Sequence, residues 1–319
     1  MNNPAFLDVE KSIKGQRWVA RLEDQRLAHT IAEKNELPEI LGRVMAARGV
    51  TSDEAEAFLN PTLRSLMPQP SAFMDMDKGA ARLAEAIVKK EVIGIISDYD
   101  VDGVSSAAIV VRFLASVGHE ANVYIPDRLT EGYGPSEKAV TTLKEQGTQI
   151  LLTLDCGVMS HDPLAHAADL GLITIIVDHH QAGIELPQAY AVINPNRQDD
   201  ISGQGHLCAA GVVMILIAAV NKQLRNLGHY NEQRPEPNML QWLELVALAT
   251  VCDVVPLKGL NRAYVTQGLR IMSRRENQGI SALADVGGLK PLSGTTSHTV
   301  ARATSSSHCN MLGSGRCSL

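Results

Sequence analysis

Three observations predict an α/β fold for this 319-residue chain: from residue 71 onward, short β-branched runs alternate with amphipathic stretches, the runs are apolar on both faces, and acidic residues directly follow three of them. Strands apolar on both faces and separated by helices make a mainly parallel sheet with helices on both faces. Five strands are expected, at VIGIIS (92–97), ANVYI (121–125), ILLTL (150–154), LITIIV (172–177) and AVI (191–193). Helical periodicity falls at 75–90, 104–117, 135–146 and 161–170, and a further helical stretch at 206–226, 239–251 and 259–274 is expected to pack against the sheet.

Residues 1–70 read as an N-terminal helical segment. ELPEILGRVMAARGV (36–50) and SDEAEAFLN (52–60) place apolar residues at helical spacing, with Ser52 as N-cap, and PTLRSLMPQP (61–70) marks a linker. The far end differs in kind. From residue 289 to 319, 11 of 31 residues are Ser or Thr, none is Asp or Glu, and no apolar period exists, so residues 290–319 are expected to be a disordered tail.

Composition removes several function classes. No apolar run approaches the roughly 20 residues of a membrane helix, and residues 1–14 lack the apolar core of a secretory signal, so a cytoplasmic protein without a membrane partner is expected. Cysteines 156, 208, 252, 309 and 317 form no CxxC pair, which argues against a disulfide scaffold or a structural zinc site and reads as reduced thiols. A net charge of -6 with 2 Trp, 6 Tyr and 4 Phe does not suit a protein that coats nucleic acid by bulk charge or stacking; any such partner needs a local site.

The aspartates supply that site. Asp98, Asp100 and Asp102 alternate in DYDVDG after the first run, Asp155 follows ILLTL, and Asp178-His179-His180 follows LITIIV. The carboxyl ends of parallel strands share one edge, where open α/β sheets bind ligands. Asp253, in CDVVPL after an apolar helix, is a fourth candidate, because an acid between apolar stretches is costly to bury unpaired. Alone, each motif fits something plainer: a solvated turn, a surface His pair, a helix cap. Their recurrence after three buried strands fits one crevice. So many converging carboxylates repel one another unless cations intervene, and this oxygen-rich set with imidazole suits Mn²⁺ or Mg²⁺, two ions rather than one. Two such ions about 3.5–4 Å apart make the clamp for in-line attack of water on a phosphate ester.

Other chemistries find little support. The sequence holds no phosphate-binding P-loop, no nucleophile elbow and no dinucleotide fingerprint. Cys156 has no neighbouring base, and His161 and His166 read as surface or packing residues. Ser105 and Ser106 stand where a helix is expected to begin, suited to capping it and offering backbone N–H groups to a phosphate.

The motifs DYDVDG (98–103), LDCG (154–157), VDHH (177–180) and CDVVPL (252–257) resemble, in order, the metal-site motifs of the DHH phosphoesterase superfamily. RLTEGYG (128–134), INPNR (193–197) and AAGV (209–212) look like its RecJ branch of single-strand-specific DNA exonucleases. The resemblance covers residues 36–289. It implies a DHH domain over 71–289 and 5′ to 3′ hydrolysis of single-stranded DNA with Mn²⁺ or Mg²⁺, in recombination and repair, beside recombination or single-strand-binding proteins. Carried over motif by motif, Asp100, Asp102, Asp155, His179 and Asp253 look like metal ligands, with Asp155 as the bridge; Asp98 is either a ligand or an acid behind them. Asp178 would orient His179, and His180 would face the scissile phosphate and help neutralise charge or protonate the leaving oxygen. Arg128 and Tyr133 fall in a loop that could reach the nucleotide, as could Ser105. The family continues into a second, smaller domain and an OB-type domain whose patterns do not occur here, so a C-terminally truncated chain with weakened activity is expected. Two alternatives stand beside this: a small-substrate DHH phosphodiesterase or pyrophosphatase, and an inactive DHH-like scaffold.

Overall fold

The computed structural model describes residues 5–22 and 24–288. It divides into two compact units after Ser65. In the first, α1 (Gln25–Lys34), α2 (Glu39–Ala46) and α3 (Ala55–Leu59) enclose Ile31, Met45, Val50 and Ala55. Helix α1 falls inside the expected helical segment 1–70 but ahead of the two stretches of helical spacing; it begins where the Asp24 side chain accepts from the Arg26 and Leu27 N–H groups. Ser52 does not cap α3. Its hydroxyl has no hydrogen-bond partner among the described residues, while Thr51 and Glu54 close the turn reciprocally: Thr51 N donates to Glu54 Oε2 at 3.0 Å and Glu54 N to Thr51 Oγ1 at 3.4 Å. The expected linker contains a short helix α4 (Leu63–Leu66) and a 3₁₀ turn (Pro70–Ala72).

The second unit runs α5 (Met76–Lys89), β1 (Ile93–Ser97), α6 (Val101–Ser116), β2 (Ala121–Tyr124), α7 (Glu137–Glu145), β3 (Ile150–Leu154), α8 (His161–Asp169), β4 (Ile173–Val177), β5 (Ala191–Ile193), α9 (Ala209–Asn226), α10 (Leu243–Cys252), α11 (Gly259–Met272) and α12 (Gln278–Val286). The strand order is β2-β1-β3-β4-β5, and every pair is parallel. Ile96, Leu151 and Ile176 share one core with residues of α7 and α8, including Leu143 and Leu164. Helices α5, α6 and α9 pack on the other face, with α10 and α11 stacked beyond them. The expected fold class therefore holds. Burial on both faces holds for β1 and β3 throughout and fails for β2, an edge strand that leaves Val123 exposed. Helix α12 lies outside the expected helical segments, and residues 290–319 lie outside the described residues. Among the described residues no helix is long and apolar enough to cross a membrane.

Register positions the site. Ser97 stands opposite Leu154, and Leu154 opposite Val177, so β1, β3 and β4 end flush. The next residue of each is an aspartate, and the ladder continues one step through them: Asp98 N donates to Leu154 O, Asp155 N to Val177 O and Asp178 N to Ile193 O. From β1 the chain steps outward to β2 and then back across to β3, which makes the β1–β3 edge the topological switch point where such sheets bind ligands.

Candidate metal centre

Asp98 continues β1, and DYDVDG then turns sharply into α6. The Asp100 side chain caps that helix by accepting from Gly103 N at 3.0 Å. Gly103 is required by close approach, since a Cβ there would sit 2.4 Å from the Asp98 carbonyl oxygen. The turn leaves Asp98, Asp100 and Asp155 with carboxylate oxygens within 4.8 Å of one another. Asp102, one residue into the same helix, is 1% exposed and accepts from the N–H groups of Ala209 and Ala210 at 2.6 and 2.8 Å. Those are unsatisfied donors at the positive end of α9, which therefore anchors a carboxylate from α6.

His179 joins the clusters. Its Nε2 lies 3.3 Å from Asp155, 3.7 Å from Asp102 and 3.7 Å from Asp253, which caps the C-terminal end of α10. Nε2 thus faces three carboxylates, and the Leu207 backbone favours the charged ring by hydrogen bonding. Burial holds the His179 imidazole below its ordinary range. Asp155, which follows β3, has a left-handed backbone (φ 60°), a conformation that concentrates at functional sites in residues other than glycine.

The electrostatics follow from this crowding. Burial pushes Asp98 up to about 6, with the Asp100 charge adding to it, and pushes Asp253 up to about 6 with help from Asp102. Burial likewise raises Asp102 to about 7 despite its two N–H donors, and raises Asp155 well above the carboxylate range. Four buried atoms at the centre, Asp98 Oδ1, Asp155 Oδ1, His179 Nε2 and Asp253 Oδ2, have no hydrogen-bond partner among the described residues. Orphaned buried acceptors beside carboxylates that resist ionisation are what a cation site looks like without its charge. The donor set, mainly oxygen with imidazole, fits a hard divalent cation.

The remaining expected residues fall differently. Asp178 hydrogen-bonds His179 through the main chain: its Oδ1 accepts from both histidine N–H groups and from His180 Nδ1 at 2.8 Å, and its Oδ2 accepts from Val158 N. Burial opposes the Asp178 charge, but these bonds hold its carboxyl below the ordinary range, and the same pair raises His180. Tyr133 turns its hydroxyl inward, donating to the Asp155 carbonyl at 3.0 Å, with its ring edge-on to His180. Arg128 is exposed, stacked 5.3 Å over Tyr99 and close enough to Asp98 to favour its ionised form. Ser105 and Ser106 cap nothing. The helix begins at Val101 because Asp100 captures its first turn, which leaves both serines buried one turn inside. Asp155 caps no helix either, as α8 starts only at His161, and His166 packs against Thr141 at 2.9 Å. Sequence reading gave no role to Asn194, Asn196, the Leu207 backbone or the α9 N-terminus, although INPNR and AAGV were the signals that could have found them.

Residues 92–250 match the DHH family, N-terminal domain. The chain belongs to the DHH family. Within that family, the Salmonella typhimurium single-stranded-DNA-specific exonuclease RecJ is 36% identical over 282 residues, which is 88% of this chain and 48% of the relative. A solved structure of exonuclease RecJ bound to manganese is 32% identical, with a TM-score of 0.61 over 73% of this chain and 55% of that one. RecJ from Thermus thermophilus in complex with Mn²⁺ is 27% identical, with a TM-score of 0.68 over 88% and 38%. This DHH chain thus spans about half the length of the curated relatives it matches.

Proposed function

We propose that this chain carries the metal-holding domain of a single-strand-specific DNA exonuclease, which hydrolyses phosphodiester bonds from the 5′ end. The flush row of aspartates with His179 Nε2 facing three carboxylates carries this reading. It is supported by relatives that bear that activity in their names and by solved relatives bound to manganese. Residues 71–289 are assigned to the phosphoesterase domain and 1–70 to a separate helical segment. The setting proposed is cytoplasmic recombination and repair, beside single-strand-binding or recombination proteins.

Asp98, Asp100, Asp102, Asp155, His179 and Asp253 would hold two Mn²⁺ or Mg²⁺ ions, with Asp155 shared between them. Bound there, the ions supply Lewis acidity toward the phosphate and an activated water. The chain's own residues do the rest. His180, whose protonated form Asp178 favours, holds a proton at the crevice mouth where a leaving oxygen can take it. Asp178 fixes that ring while both histidine N–H groups fix Asp178. Arg128, the exposed cation beside Asp98, receives the nucleotide phosphate.

The test is a single-turnover assay with enzyme in excess over a 5′-labelled single-stranded oligonucleotide, in Mn²⁺ and in chelator. Labelled mononucleotide should appear only with Mn²⁺, only from the single strand, and not with Asp155→Ala. Hydrolysis of dinucleotides without hydrolysis of the oligonucleotide would replace the exonuclease with a small-substrate phosphodiesterase. A folded chain that neither binds Mn²⁺ nor cleaves would make it a non-catalytic scaffold.

A further inference from the structure

Two motifs, RLTEGYG and INPNR, have side chains aimed at the main chain behind the candidate metal-holding residues. Tyr133 donates its hydroxyl to the Asp155 carbonyl at 3.0 Å. Asn196 Nδ2 donates to the His179 carbonyl at 2.5 Å, and Asn194 Nδ2 to the His180 carbonyl at 2.9 Å. We propose that Tyr133, Asn194 and Asn196 are positioning residues: each grips the carbonyl of one site residue and thereby fixes where its side chain points. The inference rests on the metal-centre reading above and adds what holds that centre's backbone.

The geometry explains why grips are needed there. Asp155, His179 and His180 lie beyond the strand ends, where no ladder partner holds their carbonyls, and Asp155 also occupies a left-handed conformation. A rotated peptide at any of the three would swing a side chain out of the cluster. Asn194 is fully buried and uses both ends of its amide, its Oδ1 accepting from Asn196 N at 2.8 Å. Asn196 Nδ2 also donates to Gly205 O at 3.0 Å. One amide thus ties the His179 peptide to the loop that leads into α9. Such outer partners fix ring orientation at metal sites.

Proton counting shows where the Tyr133 hydroxyl proton goes. His180 Nδ1 lies 2.8 Å from Asp178 Oδ1 and 3.2 Å from the Tyr133 hydroxyl. A ring N–H donated to Asp178 leaves the single Tyr133 hydroxyl proton for the Asp155 carbonyl. The hydroxyl is therefore committed inward although the residue is half-exposed.

The experiment compares Asn196→Ala, Tyr133→Phe and Asn194→Ala with the unmodified full chain. It measures Mn²⁺ affinity by calorimetry, KM and kcat on a single-stranded oligonucleotide at saturating Mn²⁺, melting in chelator, and ¹⁵N signals of the His179 and His180 rings without metal. Mn²⁺ affinity should fall about tenfold in Asn196→Ala and Tyr133→Phe. Excess Mn²⁺ should restore kcat, KM should stay unchanged, and the ring signals should shift in the metal-free chain. Unchanged affinity with a raised KM would make these residues substrate contacts and overturn the proposal. Unchanged affinity and ring signals with only a lower melting temperature would make them merely structural and overturn it equally. Should Asn194→Ala not fold, the other two variants decide. If the unmodified chain bound no Mn²⁺ yet the ring signals shifted in the variants, the metal reading would fall and the carbonyl grips would stand.

Discussion

Among the described residues three groups could hold a metal ion, and Asp155 belongs to two of them, one with His179 and His180 and the other with Asp98 and Asp100. A carboxylate shared between ions contributes to both, so Asp155→Ala should cost roughly tenfold more Mn²⁺ affinity than Asp98→Ala, about 1.4 kcal/mol. Equal losses in a calorimetric comparison would place the bridge elsewhere. The raised carboxyls also set a pH dependence. Asp98 and Asp253 at about 6 and Asp102 at about 7 keep their protons in the folded, metal-free chain after the unfolded chain, with ordinary carboxyls, has released them. Their contribution to stability is therefore fully present below the unfolded value and lost as pH rises through about 6 to 7. Metal binding needs those protons gone. The rise in melting temperature caused by Mn²⁺ should accordingly be small at pH 5.5 and large at pH 7.5; an equal rise at both would mean that these carboxyls are not the ligands.

Among the elements, α10 matters beyond its packing, because Asp253 ends it. Helix α11 approaches it through Gly268, where a Cβ would lie 2.2 Å from the Leu243 carbonyl and 2.4 Å from the Ala247 Cβ. Gly268→Ala must push the helices apart, at a cost of about 1–3 kcal/mol. It should lower both the melting temperature and the Mn²⁺ affinity, the second because Asp253 moves with its helix; melting and titration of the variant check both. The strands were legible because β-branched runs of five or so residues, apolar on both faces, fit little else. Edge and centre were not: ANVYI and ILLTL read alike, and only pairing exposes Val123. Helix α1 was less legible within its segment because QRLAHTIAEK buries only Ala28, Ile31 and Ala32 and depends on the Asp24 cap. Ser52 and Ser105 misled for a shared reason. A cap is decided by which side chain reaches the first free N–H, and Thr51 with Glu54, and Asp100, reach first.

For the molecule as a whole, the sequence pattern placed carboxylates from β1, β3 and β4 at one edge, because parallel strands share their carboxyl ends. What it could not place were contacts between distant segments: Ala209 and Ala210 on Asp102, Leu207 on His179, and the asparagines behind the histidines. Those depend on where α9 and the loop after β5 pack, which no local period encodes. The claim that unites residue, element and fold is that this edge is a two-cation centre. A calorimetric titration of the folded chain with Mn²⁺ at pH 7.5 tests it most directly. Two ions per chain, reduced to one or none in Asp155→Ala, is the outcome the structure predicts; a folded chain that takes up no Mn²⁺, or binds it equally well without Asp155, would contradict it.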